Sequence, residues 1–406
     1  MNYHEAIEYL YAHAPMFQKI GEKAYKTGLE NTYLLDQKFR SPHRNYKTIH
    51  VGGTNGKGSC SHLLASVLQC AGFRVGLYTS PHLKDFRERI RIDGEMIPEQ
   101  RVIDFIEQNR TTIEEISPSF FEITTALAFL YFAEQKVDFA VIEVGLGGAL
   151  DCTNIISPEV AIITNISYDH THILGETLEA IATQKAGIIK PATPVVIGEY
   201  PNNSIKTIFE RRANELHAPI RFAQDIDIET PACPLQGIYQ TKNRRTVAVA
   251  VAELQQRGIT IAENDIRNGF AQVLERTHLQ GRWQKIGENP LVVCDTGHNE
   301  GGFRYLAAQL EAQPCATLRI VIGMVGDKDI DAILRLLPRK AVYYFTKASI
   351  PRALNEHDLQ QKAQKYGLCG RCFATVNEAL ACAKSDADTN DFIFVGGSNF
   401  VVAEVL

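Results

Sequence analysis

The sequence lacks an excess of charge of one sign. Its 406 residues include 42 Lys and Arg against 47 Asp and Glu, which gives a formal net charge of −5, and no run of like charges stands out. A protein that binds nucleic acid through phosphate groups normally carries a basic patch or stripe. We therefore expect no nucleic-acid partner.

A long apolar stretch is also missing. The first residues, "MNYHEAIEYLYAHAP", place acidic side chains among the apolar ones and have no basic start. A membrane-spanning helix needs about 20 predominantly apolar residues, and a secretory signal needs a basic start before its apolar segment. The sequence therefore predicts no membrane partner, no signal peptide and a cytoplasmic location.

Closely spaced cysteines are scarce as well. The nine cysteines are an odd number scattered along the chain, which is typical of free thiols in a reducing compartment. The pair Cys369 and Cys372 in "GLCGRCF" has no second Cys or His pair nearby to complete a zinc site. We expect this spacing to carry no site, and its role stays open.

What the sequence does contain is a series of apolar, β-branched runs that alternate with helical stretches. This alternation predicts an α/β fold with parallel sheets flanked by helices. Runs that are apolar throughout are typical of strands buried on both faces. The runs are "YKTIHV", "FRVGLYT", "DFAVIEV", "EVAIITNI", "TPVVIG", "LVVCDT", "LRIVIGM", "AVYYFT" and "DFIFVGG".

The strand signal is interrupted once. Residues 241–275 read as consecutive helices, and residues 275–290 are polar, contain glycine and end in proline. We therefore predict an N-terminal P-loop ATPase domain with a mostly parallel sheet at 1–280, a linker at 281–290, and a smaller Rossmann-like α/β domain at 291–406.

The stretch "HVGGTNGKGSC" stands between a predicted strand and a predicted helix. It departs from the usual phosphate loop G-x-x-x-x-G-K-[ST], because Val51 replaces the first glycine and Gly58 separates Lys57 from Ser59. Main-chain N–H groups and the helix dipole at such a turn still favour phosphate, and Lys57 is predicted to meet the terminal phosphates. The predicted ATP contacts in this loop are Thr54, Asn55, Gly56, Lys57, Gly58 and Ser59.

The form "GTNGKGS" is that of the Mur ligase superfamily, and the chain resembles the folylpolyglutamate synthase and dihydrofolate synthase family along nearly its whole length. Further motifs of that family follow in the family order. They are "TSPHL" (79–83), "ERIRIDGE" (88–95), "SFFEITTALAF" (119–129), "EVGLGGALDCTN" (143–154), "DHTHILG" (169–175), "QKAGIIK" (184–190), "GRW" (281–283) and "DTGHN" (295–299).

Two polar residues follow predicted strands. Glu143 belongs to the end of "DFAVIEV" and His170 comes after "EVAIITNI", and the carboxyl ends of strands border the crevice where α/β sheets bind ligands. From position alone, two alternatives stay open: Glu143 is an exposed acid, and His170 is a surface histidine. The resemblance implies that Ser80, Glu143 and His170 hold Mg²⁺ beside the ATP phosphates, although this ion prefers oxygen ligands.

Lys185 lies in the helical stretch "TLEAIATQKAGIIK". The pattern alone favours a solvated helix lysine. The resemblance implies instead that Lys185 is carbamylated and helps to hold a second magnesium ion, because a carbamate offers anionic oxygens where an ammonium would repel a cation. Since carbon dioxide reacts with the neutral amine, the site is then expected to lower the pKa of Lys185.

The resemblance also implies ATP contacts later in the chain. Asn243 is similar to a residue that contacts adenine, with a helix cap as the open alternative. Arg282 is similar to an arginine that reaches the γ-phosphate, and Asp295 to an acid beside the ribose. His298 is a further candidate, or else a helix-start residue. The implied catalytic residues are Lys57, Lys185, His170 and Arg282.

Three segments are implied to bind the pterin-bearing substrate. The segment "SFFE" also has the spacing of a helix capping box, with Ser119 and Glu122 in the two capping positions, so a structural role stays open there. The implied substrate contacts are Tyr25, Lys26, Thr27, Ser119, Phe120, Phe121, Glu122, Leu150, Asp151 and Cys152.

The activity that this resemblance implies is an ATP-dependent ligase, expected to be a monomer. Phosphoryl transfer to a carboxylate of dihydropteroate or of a reduced folylpolyglutamate would give an acyl phosphate, which the amine of L-glutamate then attacks. One alternative is a Mur-type ligase for a UDP-muropeptide, although the 52 residues before Gly53 are few for a UDP-binding domain. Another is an ATP-dependent binding protein without ligase activity, which would leave most of the motifs unexplained.

Overall fold

The computed structural model describes residues 1–13, 28–326 and 328–406. Its strands form two sheets, and the chain divides into two compact units. The first unit contains Met1–Ser167, Thr171–Pro234 and Lys242–Leu279, and the second contains Tyr168–His170, Leu235–Thr241 and Gln280–Leu406.

The sheet of the first unit has eight strands in the order β4-β3-β2-β5-β1-β6-β7-β8. All neighbours are parallel except the pairs β2–β3 and β3–β4. The mostly parallel sheet predicted for this part of the chain is therefore confirmed. The strands are β1 Lys47–Gly52, β2 Val75–Tyr78, β3 Ile90–Ile92, β4 Glu95–Met96, β5 Phe139–Glu143, β6 Val160–Ile163, β7 Val195–Ile197 and β8 Ile220–Phe222.

Three neighbouring strands end at the same edge of this sheet. β1 lies between β5 and β6, and its register pairs Val51 with Glu143 and Gly52 with Ile163. Because parallel strands present their carboxyl ends together, the phosphate loop, Glu143 and residues 164–167 meet at one edge. The sheet order thus assembles segments that are far apart in the sequence.

A short hairpin extends the sheet beyond β2. β3 and β4 pair as antiparallel strands, and the turn between them contains Asp93 and Gly94 with φ of 50° and 89°. Such Asp-Gly turns suit hairpins because both residues tolerate positive φ. The hairpin was not predicted, since strands of two and three residues show no alternation to read.

Helices cover both faces of the first sheet. Two cores lie along one face, because Ile142 of the first core and Ala161 of the second are both register partners of His50. The first core includes Phe105, Phe129 and Phe132, and the second includes Ile181 and Phe209. The helix Lys57–Cys70 packs against β1, β2 and β5. The helices are α1 Tyr3–His13, α2 Glu30–Lys38, α3 Lys57–Cys70, α4 Glu99–Ile116, α5 Phe120–Glu134, α6 Thr171–Leu174, α7 Leu178–Ala186, α8 Asn203–Glu215, α9 Gln240–Gln256, α10 Glu263–Ala271 and α11 Val273–Thr277, so the consecutive helices expected at 241–275 are present.

The sheet of the second unit has six strands in the order β13-β12-β11-β14-β10-β9. It is parallel except for the pair β9–β10, which confirms the second α/β unit. Its strands are β9 Gln284–Gly287, β10 Leu291–Asp295, β11 Leu318–Ile322, β12 Val342–Phe345, β13 Gly370–Cys372 and β14 Phe392–Gly396. Its helices are α12 Glu300–Ala312, α13 Ile330–Leu334, α14 Glu356–Gln364, α15 Val376–Ser385 and α16 Asn399–Ala403.

The segment predicted as a linker contains a strand. β9 pairs with β10 as the antiparallel edge strand of the second sheet, inside the range 281–290. Three of its residues are half-buried and Lys285 is exposed, so it lacks the apolar run that marks the central strands. The domain boundaries at 1–280 and 291–406 stay a prediction.

None of the helices in the described ranges is long and apolar enough to cross a membrane. α4, with 18 residues, carries Arg and Glu along its length. A spanning helix needs about 20 predominantly apolar residues.

Candidate active site

The phosphate loop joins β1 to α3. Gly53 and Gly56 have φ of 134° and 85°, a region that glycine adopts without a steric penalty. Gly56 directly precedes Lys57, the first residue of α3. The first N–H groups of a helix have no acceptor within the helix, so this turn presents donors for an anion, as the sequence predicts.

Two lysine amines meet at one carbonyl oxygen of this loop. Lys57 Nζ donates to the main-chain oxygens of Gly53 at 3.2 Å and Thr54 at 3.0 Å, and Lys185 Nζ donates to the oxygen of Gly53 at 2.8 Å. Lys185 lies in the last turn of α7 and is 4% exposed. The alternative of a solvated helix lysine is therefore wrong.

Glu143 and Ser80 also lie together. Glu143 is the last residue of β5 and is 3% exposed, so the alternative of a water-facing acid is wrong. Its Oε2 accepts the main-chain N–H of Ser80 at 3.3 Å. A carboxylate and a hydroxyl are oxygen ligands of the kind that Mg²⁺ prefers, so the two side chains fit the ion that the sequence predicts.

The fit of a metal ion depends on more than carboxylates and imidazoles. Within the described part of the chain, no group of three or more His, Cys, Asp or Glu side chains is arranged to hold a metal. A complete ligand set here would need other donors, such as the hydroxyl of Ser80 or a carbamate on Lys185. Both donors belong to the ligand set that the family resemblance implies, and that set stays a prediction.

His170 belongs to the second unit. It has φ of 51°, and its main-chain N–H donates to Oδ1 of Asp169 at 2.9 Å. Its Nε2 lies 3.8 Å from the same oxygen, and its side chain is about a quarter exposed. The neighbouring acid thus holds the main chain of His170 by a hydrogen bond, and its charge lies close to the ring.

Sequence analysis missed Asp169. In the second unit its buried carboxylate accepts from Asn299 Nδ2 at 2.8 Å, forms an ion pair with Lys328 Nζ and lies 3.5 Å from His298 Nε2. Burial alone would raise the pKa of Asp169, but His170, His298 and Lys328 hold it well below its usual range. The place of Asp169 in the motif "DHTHILG", directly before His170, was a signal that it belongs to the site. Its partners Asn299 and Lys328 lie 130 and 159 residues later, and the spacing of motifs does not predict such contacts.

Asp295 ends β10 and organises its own surroundings. Its Oδ2 accepts from Trp283 N at 2.7 Å and from the Tyr239 hydroxyl, and its Oδ1 accepts from Gly297 N at 2.8 Å. Burial raises the pKa of Asp295, although these hydrogen bonds oppose the shift. Each carboxylate oxygen can accept two hydrogen bonds, so Oδ1 keeps capacity for a further donor.

Thr296 connects the other two candidates of this region. Arg282 Nη1 donates to Thr296 Oγ1 and to the oxygen of Gly281 at 3.2 Å, and His298 Nδ1 lies 3.0 Å from the oxygen of Thr296. Asn299 caps α12 through its Oδ1. The helix-start role considered for His298 therefore belongs to Asn299.

Asn243 lies inside a helix and next to the phosphate loop. α9 begins at Gln240, and a cap residue must precede the first helical residue, so the cap alternative is wrong. A Cβ built on Gly56 would lie 2.3 Å from Asn243 Oδ1. Glycine at position 56 is what allows this carboxamide to approach the loop.

The predicted substrate segment at the start of α5 is also a capping box. Ser119 N donates to Glu122 Oε2 at 2.7 Å, and Glu122 N donates to Ser119 Oγ at 3.3 Å. The structural role considered for this pair is therefore confirmed. Phe121 lies between these two residues, in the first turn of α5. Its ring stacks on Tyr78 with 5.8 Å between ring centroids and lies against Gly145.

The second substrate segment divides by burial. Asp151 is buried and accepts the main-chain N–H groups of Leu146 at 2.8 Å and Thr153 at 3.0 Å. The Cys152 thiol lies 3.1 Å from Thr125 Oγ1, and burial raises its pKa. Leu150 is 41% exposed. Tyr25, Lys26 and Thr27, the third segment, lie outside the described residues.

Cys372 is the last residue of β13 and Cys369 directly precedes this strand. All nine cysteines are free thiols. Three residues of extended chain span about 10 Å, which exceeds the Cα separation that a disulfide allows. In this conformation the pair therefore forms no disulfide.

Two family models match the chain, one in each of its two parts. Residues 51–256 match the family described as "Mur ligase middle domain", and residues 281–399 match "Mur ligase, glutamate ligase domain". The folylpolyglutamate synthase of Lacticaseibacillus casei is 32% identical over 428 residues, covering 98% of this chain and 96% of the relative. The chain belongs to the folylpolyglutamate synthase and dihydrofolate synthase family. The resemblance seen in the motifs is therefore confirmed.

Solved structures of this family share the fold. A structure of Escherichia coli FolC in complex with DHPP and ADP has a TM-score of 0.87 and 31% identity, covering 100% of this chain and 97% of that one. A bifunctional folylpolyglutamate synthase/dihydrofolate synthase with Mn, AMPPNP and L-glutamate bound has a TM-score of 0.84 and 31% identity, with coverage of 100% and 97%. The predicted fold class is confirmed over both units.

Proposed function

We propose that this member of the family is an ATP-dependent ligase that adds L-glutamate to dihydropteroate, to reduced folylpolyglutamates or to both. The observation that carries the proposal is the convergence of Lys57 and Lys185 on the Gly53 oxygen, at a strand-to-helix phosphate loop. Related structures with ADP and DHPP, and with AMPPNP and L-glutamate, support the same set of small molecules. The protein is proposed to act as a monomer.

The proposed ATP contacts comprise the phosphate loop and four later residues. The loop from Thr54 to Ser59 would hold the phosphates, Asn243 the adenine and Asp295 the ribose, with Arg282 at the γ-phosphate and His298 beside them. Support for Asn243 comes from its position against Gly56. These roles rest on the family resemblance and on contacts within each unit.

A divalent cation is proposed to accompany ATP. The related structure with Mn and AMPPNP supports a divalent metal, and we propose two Mg²⁺ ions held by Ser80, Glu143, His170 and a carbamate on Lys185. When bound, such ions neutralise phosphate charge and polarise the phosphoryl oxygens. Glu143 and Ser80 already lie together, with the carboxylate buried at the strand end.

The carbamate on Lys185 fits the observed hydrogen bond. The amine adds to carbon dioxide, a C–N bond forms, and one proton leaves, so the nitrogen keeps one hydrogen. That hydrogen can continue to donate to the Gly53 oxygen, which lies 2.8 Å from Nζ. The carbamate oxygens would supply anionic ligands for a metal ion.

The proposed reaction has two transfers. An oxygen of the acceptor carboxylate attacks the γ-phosphorus, the bond from this phosphorus to the bridging oxygen breaks, and ADP leaves. The amine of L-glutamate then attacks the acyl carbon, phosphate leaves, and the nitrogen loses a proton. Lys57 and Arg282 would neutralise charge on the moving phosphoryl group, which is the main source of catalysis in such transfers.

The acceptor is proposed to contact Tyr25–Thr27, Ser119–Glu122 and Leu150–Cys152. Phe121 supports this placement, because its ring lies against Gly145, two residues beyond Glu143. A flat pterin ring suits stacking on such a side chain. Leu150 adds an exposed apolar surface in the same unit.

One assay tests the proposed function. The purified protein is given ATP, Mg²⁺ and labelled L-glutamate, together with dihydropteroate, a reduced folate or a UDP-muropeptide in turn. We expect glutamate-dependent ADP release and a labelled product with a folate-type acceptor. Turnover only with the muropeptide would reject the proposal in favour of a Mur-type ligase. The absence of turnover with all three acceptors would reject it in favour of a binding protein.

A further inference from the structure

Residues 164–167 follow β6 and hydrogen-bond to the phosphate loop within the first unit. The main-chain N–H of Thr54 donates to the carbonyl oxygen of Asn165 at 3.0 Å. The main-chain N–H of Asn55 donates to the side-chain Oδ1 of Asn165 at 2.8 Å. Two successive amides of the loop therefore end on a single residue that the sequence analysis did not select.

Other groups of the same segment hold the loop's oxygens and side chains. Thr164 Oγ1 donates to the carbonyl oxygen of Asn55 at 2.6 Å. The Thr54 hydroxyl donates to the oxygen of Ser167 and accepts its N–H, both at 3.2 Å. Residues 164–167 thus bind both hydrogen-bond donors and hydrogen-bond acceptors of the phosphate loop. Contacts of both kinds fix the orientation of the loop more firmly than contacts to its donors alone.

These contacts determine which amides can face a phosphate. A main-chain N–H carries one hydrogen to donate, and those of Thr54 and Asn55 already point to Asn165. The helix leaves the N–H groups at its start without an intrahelical acceptor, and α3 starts at Lys57. Among the loop residues Thr54 to Ser59, main-chain donors for a phosphate therefore start at Gly56.

The loop also needs a partner to stay ordered. Gly53 and Gly56 adopt positive φ, and glycine loses more conformational freedom on ordering than any other residue. When the loop is already ordered in the folded protein, nucleotide binding does not have to order it, and the affinity is not lowered by that loss of conformational entropy. Asn165, which bonds the two residues between these glycines, is placed to supply this order.

We propose that Asn165 is a positioning residue that pre-orders the phosphate loop by accepting the N–H groups of Thr54 and Asn55, leaving the loop amides from Gly56 onward for the phosphates. The inference rests on the proposed function, since it takes this loop to be the ATP site. It adds a residue that contacts neither nucleotide nor acceptor in the proposed reaction.

The first test is Asn165→Ala, which removes one of the two acceptors. We expect the Kd for MgADP, measured by titration calorimetry, to rise about 5- to 10-fold, the effect of losing one hydrogen bond to a main-chain amide. The KM for ATP should rise by the same factor while kcat changes less than about 2-fold, because the loop binds ground state and transition state alike. The KM values for L-glutamate and the acceptor should not change.

The second test is hydrogen exchange of the loop amides. Asn165→Ala should speed the exchange of the Asn55 amide, whereas Asn165→Asp, which keeps an oxygen in the same place, should retain its protection. Unchanged exchange in Asn165→Ala would show that this oxygen does not protect the amide, and would overturn the inference. Exchange as fast in Asn165→Asp as in Asn165→Ala would overturn it as well.

A matched control separates positioning from general stability. Asn109 Nδ2 donates to the oxygen of Phe105 at 2.7 Å in α4, so Asn109→Ala removes a comparable side chain far along the chain from the loop. It should leave Kd and KM unchanged. Equal MgADP affinity in Asn165→Ala and wild type, or a uniform loss of kcat and all affinities, would overturn the inference. Failure of the wild-type protein to bind MgADP would overturn the proposed function itself.

Discussion

The side-chain amine of Lys185 lies 2.8 Å from the carbonyl oxygen of Gly53, 132 residues earlier in the chain. The same oxygen accepts from Lys57 at 3.2 Å. Two ammonium groups that share one acceptor repel each other. The charge on Lys185 therefore affects the position that the side-chain amine of Lys57 prefers. Conversion of Lys185 to a carbamate would remove that repulsion beside the loop that is proposed to bind ATP.

Replacement of this lysine tests its place in the mechanism. We expect Lys185→Ala to lower ligase turnover by at least about 100-fold, the scale of losing one charge-stabilising group at a reacting centre. Binding of MgADP should change little, because the loop amides and Lys57 remain. The measurements are glutamate-dependent ADP release and calorimetric titration with MgADP.

Lys190 provides the control for this change. Its Nζ donates to the main-chain oxygen of Asn154 at 2.7 Å, so it is another lysine bound to a carbonyl in the same unit. Lys190→Ala should keep turnover within about 3-fold of wild type, since its contact is worth an ordinary hydrogen bond. Near-normal turnover in Lys185→Ala would remove Lys185 from the mechanism.

Gly56 and Gly72 form a natural pair for testing the loop. Both have φ of 85°, but a Cβ on Gly56 would lie 2.3 Å from Asn243 Oδ1, whereas one on Gly72 would meet nothing within 4 Å. Each change to alanine should lower the free energy of unfolding by about 1–2 kcal/mol through backbone strain. Gly56→Ala alone should also raise the KM for ATP, because Asn243 must move.

Urea unfolding and ATP kinetics of the two variants check this expectation. Equal KM values for ATP in Gly56→Ala and Gly72→Ala would show that the approach of Asn243 to the loop has no part in ATP binding. A loss of stability in Gly56→Ala far above that of Gly72→Ala would indicate that the clash is not relieved by movement of Asn243.

The central strands could be predicted because they are apolar on both faces. β6, and β5 up to its last residue Glu143, read as apolar runs, and every residue of both strands is buried. β9 could not be predicted, since it is half-buried and polar, and its pairing with β10 depends on contacts that the sequence pattern does not contain. Edge strands are determined by their neighbour more than by their own composition.

The candidate site divides in the same way. Glu143 could be predicted because a carboxylate at a strand end has a position that the fold determines. Asp169 and Asn165 could not, because their importance lies in hydrogen bonds to Lys328 and to the phosphate loop, more than 100 positions away. Side-chain partners at such separations follow from the packed fold, which spacing alone does not specify.

Ser119 has a structural role as a helix cap and a proposed role in substrate binding. Its replacement by alanine should lower the free energy of unfolding by about 1 kcal/mol, the usual value of an N-cap. If it also contacts the acceptor, the KM for dihydropteroate should rise about 3- to 10-fold, the effect of losing one hydrogen bond. Urea unfolding and acceptor kinetics measure the two effects separately.

The second unit contains the matching control. Thr375 and Glu378 form a capping box at the start of α15, with both hydrogen bonds at 3.2 Å. Thr375→Ala should lower stability by a similar amount, again about 1 kcal/mol, without affecting the KM for the acceptor. An unchanged acceptor KM in Ser119→Ala would leave this residue with its capping role alone.

His50 makes the stability of the first unit dependent on pH. It is fully buried in β1, where its Nε2 lies 2.9 Å from Thr153 Oγ1. Burial, aided by the charge of Lys190, lowers the pKa of His50 to about 3, against about 6.5 in the unfolded chain. The unfolded state therefore binds a proton below pH 6.5 that the folded state does not bind, and stability falls as the pH falls from 6.5 towards 3.

His50→Gln should remove this dependence. The wild-type free energy of unfolding should fall by up to about 1.4 kcal/mol per pH unit below pH 6.5 on account of His50, or about 1.6 kcal/mol in total between pH 6.5 and 5. Urea unfolding at pH 7.5, 6.5, 5.8 and 5 should show a shallower slope for His50→Gln, although its stability at pH 7.5 is lower because the packing changes. The exposed His4, replaced in the same way, should leave the slope as it is in wild type. Parallel slopes in wild type and His50→Gln would mean that His50 takes up a proton in the folded protein, contrary to its burial.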